Sequence, residues 1–277
     1  MPNRFSTFSF VDRIIDIEAD SRARGSFVVP AGLPHFSPCL VAEAIGQLAA
    51  WVAMARDDFR RRPVAALAGE ARIMGTVASG KTLDLGVEIE SWDHDAVSYA
   101  GWARMGDLPI IELSNCVGAL LPLEDFDAPT AARNRFATLC QEGAQPGRFC
   151  GIDDARVEVL EREPGKRLRA AIQVPCSAPF FADHFPRRPV FPATLLLDTQ
   201  IRMAVELARE LLAGVPLRPQ RVADVKMRSF ILPSQVVEMM AERASATDGS
   251  VALALSATVD HKRVASARVD IVTHEPP

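Results

Sequence analysis

The sequence predicts an α+β protein made of two tandem copies of one unit, each an antiparallel sheet wrapped around a single helix. Three observations predict it: two helical stretches too apolar for a surface, runs of strand pattern after each, and the same order of elements recurring half-way along the chain. At 277 residues, 48% of them apolar, the chain can bury a substantial core as one large or two ordinary domains.

The first unit opens with an apolar stretch and two short strands, IIDIE and RGSFVV, around a polar turn from Ala19 to Arg22. A helix follows over about 38–58, apolar almost continuously from Leu40 to Ala55, with Glu43 and Gln47 as its strongly polar breaks. Arg60, Arg61, Arg62 and Pro63 are expected to end it, since cations suit a helix C-terminus. The arginine run reads as a solvated face. From Ala65 to Leu123 the pattern is four strands, with turns at Ser79-Gly80, Asp93-His94-Asp95 and Gly106-Asp107. Residues 1–123 thus form the first domain. The alternation is lost over 124–148, which is rich in Ala, Arg, Pro and Gly, and a linker is placed there.

Residues 149–277 repeat the order. Strands VEVLERE and LRAAIQV flank Pro164-Gly165, a proline-rich loop leads to a helix over 192–213, and four more strands complete the unit. Prolines 186, 189 and 192 forbid regular helix before Pro192, whereas proline suits a helix's first position. Pro30 matches Pro175 at an offset of 145, and Glu43 matches Asp198 at 155. The first half is therefore about ten residues shorter at one place, the loop before its helix.

The formal charge of −4 argues against nucleic acid as the main partner. No run of eighteen apolar residues and no signal-peptide pattern at the N-terminus is found, so a soluble cytoplasmic protein with no membrane association is expected. Five cysteines without a CxxC pair indicate neither a zinc site nor a disulfide framework. His94, His261 and His274 read as solvated, and Tyr99 as packing.

The chemistry concentrates in HFPRRPVFPATLLLDTQ, residues 184–200. It resembles the signature of the hotdog-fold 3-hydroxyacyl-[acyl-carrier-protein] dehydratases: His-Phe-Pro, then Pro-x-x-Pro, then a helical acid fourteen residues after the histidine. His184, Phe185, Pro186, Pro189, Pro192 and Asp198 fall in register. Arg187 and Ala193 stand where the family usually has glycine, and Arg202 where it usually has glutamine. The resemblance covers nearly all of 150–272 and, more weakly, 8–122, where Glu43-Ala-Ile-Gly-Gln47 keeps the family's helical Glu-x-x-x-Gln. It implies a double hotdog, a pseudo-dimer in one chain that needs no second subunit to complete a site, with homodimerisation left open.

The resemblance also implies a mechanism. A histidine can take the C2 proton of a 3-hydroxyacyl thioester, and a carboxyl group in an apolar pocket can protonate the departing hydroxyl. The unpaired N–H groups of Ala193 and Thr194 can hold the enolate oxygen, and no cofactor or metal is needed. Because the family's sites lie between subunits, His184 should face Glu43 rather than Asp198. Gln47 and Phe191 are placed at the substrate. Asp198 would face the shortened loop, where His35 is the sole candidate for a degenerate second site. Arg187 and Arg188 are expected to dock an acidic acyl carrier protein, with a CoA thioester as the other carrier. Two rival functions stay open: acyl thioester hydrolysis on the same fold, and a non-catalytic hotdog that binds an acyl chain or carrier protein. An open pocket beside His184, rather than one plugged by Phe191, separates the last from the enzymes.

Overall fold

The computed structural model describes residues 7–274 apart from 19, 20, 34, 147, 154 and 213. Two residues of the expected turn at 19–22, Gly147 of the expected linker and Ala213 of the expected second helix therefore lie outside the described residues.

Among the described residues twelve strands form one antiparallel sheet. The first half contributes β1 (Arg13–Glu18), β2 (Arg22–Val28), β3 (Arg61–Ile73), β4 (Thr82–Trp92), β5 (Ala96–Met105) and β6 (Leu108–Pro122). The second contributes β7 (Val157–Glu163), β8 (Arg167–Gln173), β9 (Leu217–Met227), β10 (Val236–Thr247), β11 (Ser250–Val259) and β12 (Lys262–Thr273). Their order across the sheet is β1-β2-β4-β5-β6-β3-β9-β12-β11-β10-β8-β7. Read from either end, the two halves have the same order, related by a pseudo-twofold through the antiparallel pair β3 and β9, with Leu67 opposite Lys226 and Arg72 opposite Arg221. This is a double hotdog.

Each half wraps one helix, α1 (Pro38–Arg56) and α3 (Ala193–Ala208), and the two helices touch. By length and composition α1 could cross a membrane, yet here it is the core of the first half. Val41, Ala44, Ile45, Leu48 and Ala53 lose essentially all solvent contact, and full burial of a side chain such as Leu48 stabilises by about 2 kcal/mol. Gly101 on β5 lets the helix sit close, because a Cβ there would lie 2.3 Å from Ile45 Cγ2. Ser37 caps its first turn, its hydroxyl accepting from Leu40 N–H.

Three expectations need correction. Helix α1 ends at Arg56, where Asp57 caps it and pairs with Arg60 and Arg61 at 3.1 and 2.8 Å; Arg61, Arg62 and Pro63 begin β3 instead of closing the helix. Pro192 is the N-cap of α3, outside its first turn, and that helix stops at Ala208. The stretch read as linker is structured: a 3-10 turn at Leu123–Asp125 lies against β3, and helix α2 (Pro129–Gln141) lies against α1, with Phe136 beside Trp51 and Phe59. Sparse apolar spacing hid α2, which buries only Ala132 and Leu139.

Candidate active site

A long cavity of about 690 Å³ runs between the halves, lined by Glu43, Gln47, His184, Phe191, Ala193 and Thr194 among mostly apolar side chains. Its size is ordinary for a small-molecule site. Helix α1 supplies Glu43 and Gln47 one turn apart on one face. The second half supplies the rest: the proline-rich loop carries His184 into the cavity, and α3 starts beside it. Phe191 is a buried wall, its N–H bonded to Ile231 O, and does not plug the space.

His184 is oriented by its own loop. Its Nδ1 lies 2.9 Å from Val190 O, and a carbonyl can only accept, so Nδ1 carries the hydrogen and the neutral ring keeps a lone pair on Nε2. The ring stacks on Phe185 at 4.1 Å between centroids and meets Phe8 edge-on at 5.5 Å. Burial pushes its pKa below the usual 6.5; the charge of Glu43 and the bond to Val190 oppose this, and the charge of Arg62 reinforces it. A neutral imidazole with a free nitrogen is a base at neutral pH.

Both carboxylate oxygens of Glu43 accept hydrogen bonds. Thr194 Oγ1 donates to Oε2 at 2.9 Å, joining the second half to the first, and Gln47 Nε2 donates to Oε1 at 3.0 Å. Gln47 has further work. Its Nε2 also donates to Phe8 O, and its Oε1 accepts from Phe10 N–H at 2.8 Å. Its amide is thus committed to orienting Glu43 and clamping the N-terminal segment, a different task from the substrate contact expected of it. Asp183, unremarked in the sequence, grips the same segment: its Oδ2 accepts from Thr7 N–H, Phe8 N–H and Ser9 Oγ.

Ala193 and Thr194 open α3, and their N–H groups have no acceptor within the helix, since its first bonds run from Leu195 and Leu196 to Pro192 O. Asp198 stands apart from the cavity lining, paired with Arg202 at 3.4 Å. His35 is exposed and outside the cavity. The structure brings Glu43 and His184 to one cavity and brings neither His35 nor Asp198 there.

The arginines divide in ways the sequence did not show. Arg187 is tied down, its N–H bonded to Phe126 O and its guanidinium to Glu124 O, so it fastens the His184 loop to the first half. Arg188 is exposed and lies over Phe230 and Phe126 at 4.7 and 5.6 Å. Arg62, read as part of a solvated run, turns into the cavity with its guanidinium 3.9 Å from the Phe185 ring. Reading 61–63 as a strand start would have found it, because alternation along a strand sends neighbouring side chains to opposite faces.

Known proteins resemble this chain in sequence and in fold. Residues 160–268 match the family described as ApeI-like, ApeI dehydratase. Among curated relatives, the 3-hydroxyacyl-[acyl-carrier-protein] dehydratase FabZ of Wolbachia pipientis wMel is 27% identical over 116 residues, which are 41% of this chain and 81% of the relative. The enzyme of the same name from Polaromonas sp. (strain JS666) is 45% identical over 58 residues, 21% of this chain and 40% of the relative. Solved structures match over the whole length: the tesB protein of Mycobacterium avium subsp. paratuberculosis, with a TM-score of 0.61 at 14% identity over 95% of this chain and 96% of that one, and a putative oleoyl thioesterase from Lactobacillus plantarum, 0.61 at 11% over 93% and 99%. At such identities the latter speak for the fold alone. By fold, then, the chain is a double hotdog. By sequence, its second half is similar to the hotdog dehydratases, with the ApeI-like family matching residues 160–268.

Proposed function

We propose that this protein dehydrates 3-hydroxyacyl thioesters to 2-enoyl thioesters, with His184 and Glu43 forming one competent site. The observation that carries the reading is the tautomer of His184: Val190 O holds the proton on Nδ1 and leaves Nε2 free in the cavity that Glu43 also lines. In this reading Nε2 takes the C2 proton, and the N–H groups of Ala193 and Thr194 hold the enolate oxygen. The Glu43 carboxyl hands a proton to the C3 hydroxyl, which leaves as water. The imidazolium then returns its proton to the Glu43 carboxylate, and the enzyme is restored without a cofactor.

The names of the relatives support an acyl carrier protein as the carrier, with CoA as the alternative. Exposed Arg188 beside the cavity is a place for an acidic partner or the phosphate of its arm. The two halves each give one reacting group, so one chain suffices for the site, and association of two chains is not required.

The test is turnover of a series of 3-hydroxyacyl-CoA and 3-hydroxyacyl-carrier substrates, followed by absorbance of the conjugated enoyl product. Enoyl formation that disappears in His184→Asn supports the reading. Free thiol released from a saturated acyl-CoA, with no enoyl product, would move the protein to the thioester hydrolases. Binding without either reaction would leave a non-catalytic acyl-binding hotdog.

A further inference from the structure

Arg62 is a cation where the dehydration just described has no use for one. It lies at the start of β3 and lines the cavity, and among the described residues its Nε, the one nitrogen of the group shut off from solvent, has no hydrogen-bond partner. A guanidinium has five N–H donors in a rigid fork, and leaving one unmade in a low-dielectric site is costly. Burial lowers its pKa to about 10, against the opposing charges of Asp127 and Glu43, so it remains a cation at neutral pH. The guanidinium lies over the Phe185 ring, 3.9 Å from its centroid, and 5.9 Å from the centroid of Phe126, whose ring meets Phe185 edge-on. Such contacts stabilise the cation through the face of the ring and make no use of its in-plane N–H donors.

The surroundings give those donors a direction. Exposed residues along the cavity lining mark its mouth: Leu67 on β3, Leu232, Arg188 and Arg228. Arg188 and Arg62 lie 5.6 and 5.9 Å from the centroid of the Phe126 ring, which meets Phe185 edge-on, and Phe185 in turn stacks on His184. A chain entering here meets apolar walls, one buried donor and then the histidine. A plain hydrocarbon offers that donor nothing.

We propose that Arg62 is a substrate-recognition residue, donating through its guanidinium to a carbonyl oxygen of the pantetheine arm of an acyl thioester as the arm passes toward His184. The inference rests on the thioester reading of the site but not on the reaction run there. It separates ligands by chemistry: an acyl-pantetheine carries amide and thioester carbonyls, whereas a free alkyl chain of the same length carries none. A purely structural arginine, holding Phe185 and Phe126, would treat the two alike.

The experiment measures equilibrium binding of S-octylpantetheine, octanoylpantetheine and 1-octanol to the full chain and to Arg62→Met and Arg62→Lys. Methionine keeps an apolar stem against the rings, and lysine keeps the charge but not the planar fork of donors. Recognition of an arm carbonyl predicts that both variants bind the two pantetheine ligands roughly 10- to 100-fold more weakly, with 1-octanol unchanged. Weakening of both assigns the bond to an amide of the arm; weakening confined to octanoylpantetheine places it on the thioester carbonyl and overturns recognition of the arm. Unchanged pantetheine binding in either variant overturns the proposal, as does an equal loss for 1-octanol. Should Arg62→Met fail to fold, the lysine variant alone decides. If the wild-type protein binds with this dependence but forms no enoyl product, the recognition stands and the dehydratase reading falls. Turnover with binding that does not depend on Arg62 keeps the dehydratase reading and overturns the recognition.

Discussion

Thr194, the second residue of α3, donates its hydroxyl to Glu43 in the second turn of α1, 2.9 Å away and 151 residues back along the chain. The start of one central helix is thereby tied to the carboxyl of the other. This bond sets where the Glu43 carboxyl sits relative to the helix terminus proposed to hold the substrate oxygen.

Replacing Thr194 with valine keeps the shape and deletes the donor. A side-chain hydrogen bond contributes roughly 0.5–1.5 kcal/mol, so a stability loss of about 1 kcal/mol is expected for half-buried Thr194. The larger effect falls on kcat, lowered about tenfold with KM held, because a carboxyl off its position by an ångström costs rate more than binding. An unaltered kcat in steady-state assays would mean the bond does not position Glu43.

Glu43→Gln should abolish enoyl formation, and Asp198→Asn should leave it within about twofold of wild type. Asp198 has Arg202 as its ion-pair partner and does not line the cavity. Side-by-side turnover of the two variants checks this, and the reverse ranking moves the reaction to Asp198.

His184 has a folded pKa below its ordinary 6.5, chiefly through burial. The folded state thus resists the proton that the unfolded chain accepts, and stability declines as pH falls from 6.5 toward the lower folded value. The acid limb of kcat/KM should lie below pH 6.5, and urea titrations across that window should show a pH slope that shrinks in His184→Asn. An acid limb above pH 7 would contradict both expectations.

Asp12 is the opposite case. Its Oδ2 accepts from Val28 N–H at 2.7 Å, but burial dominates and raises its pKa to about 6. Between the unfolded value of 3.8 and about 6 the folded state holds the proton more tightly, so stability falls as pH rises through that range and stays lower above it. Asp12→Asn keeps an acceptor for Val28 and removes the buried charge. After discounting for partial exposure, it should gain about 1 kcal/mol at pH 7.5 and nothing at pH 4, seen as a Tm rise of about 3 °C at the higher pH only.

Gln47→Leu removes the donor to Glu43 and both clamps on the N-terminal segment, leaving the Phe10 N–H buried without its acceptor. A loss of about 2–3 kcal/mol is expected. Hydrogen exchange at Phe10 should quicken well beyond that at Leu48 in the core. Equal protection in the variant would mean the segment is held by Asp183 and its phenylalanines alone.

Much of this was legible in the chain. The two-copy order, the strands at 82–92 and 96–105 and the first helix followed from local signals, because alternation, turn residues and an unbroken apolar run are properties of neighbours in sequence. The ten-residue difference before the first helix weakened the case for His35, and the resemblance to the hotdog dehydratases, carried onto the repeat, made Glu43 the expected partner of His184. What the sequence could not hold were relations between distant residues. That Gln47 clamps Phe8 and Phe10, that Asp183 grips Thr7 and Phe8, and that Thr194 reaches Glu43 are facts of how two sheets close around two helices. Arg62 is the clearest instance. In sequence it is the third of three arginines, and only the strand that starts beneath it, with Phe185 and Phe126 brought in from a loop and a turn far along the chain, turns it from the solvent into the cavity. Secondary structure answers to local pattern, whereas the burial of a charge depends on which surfaces tertiary packing lays over it.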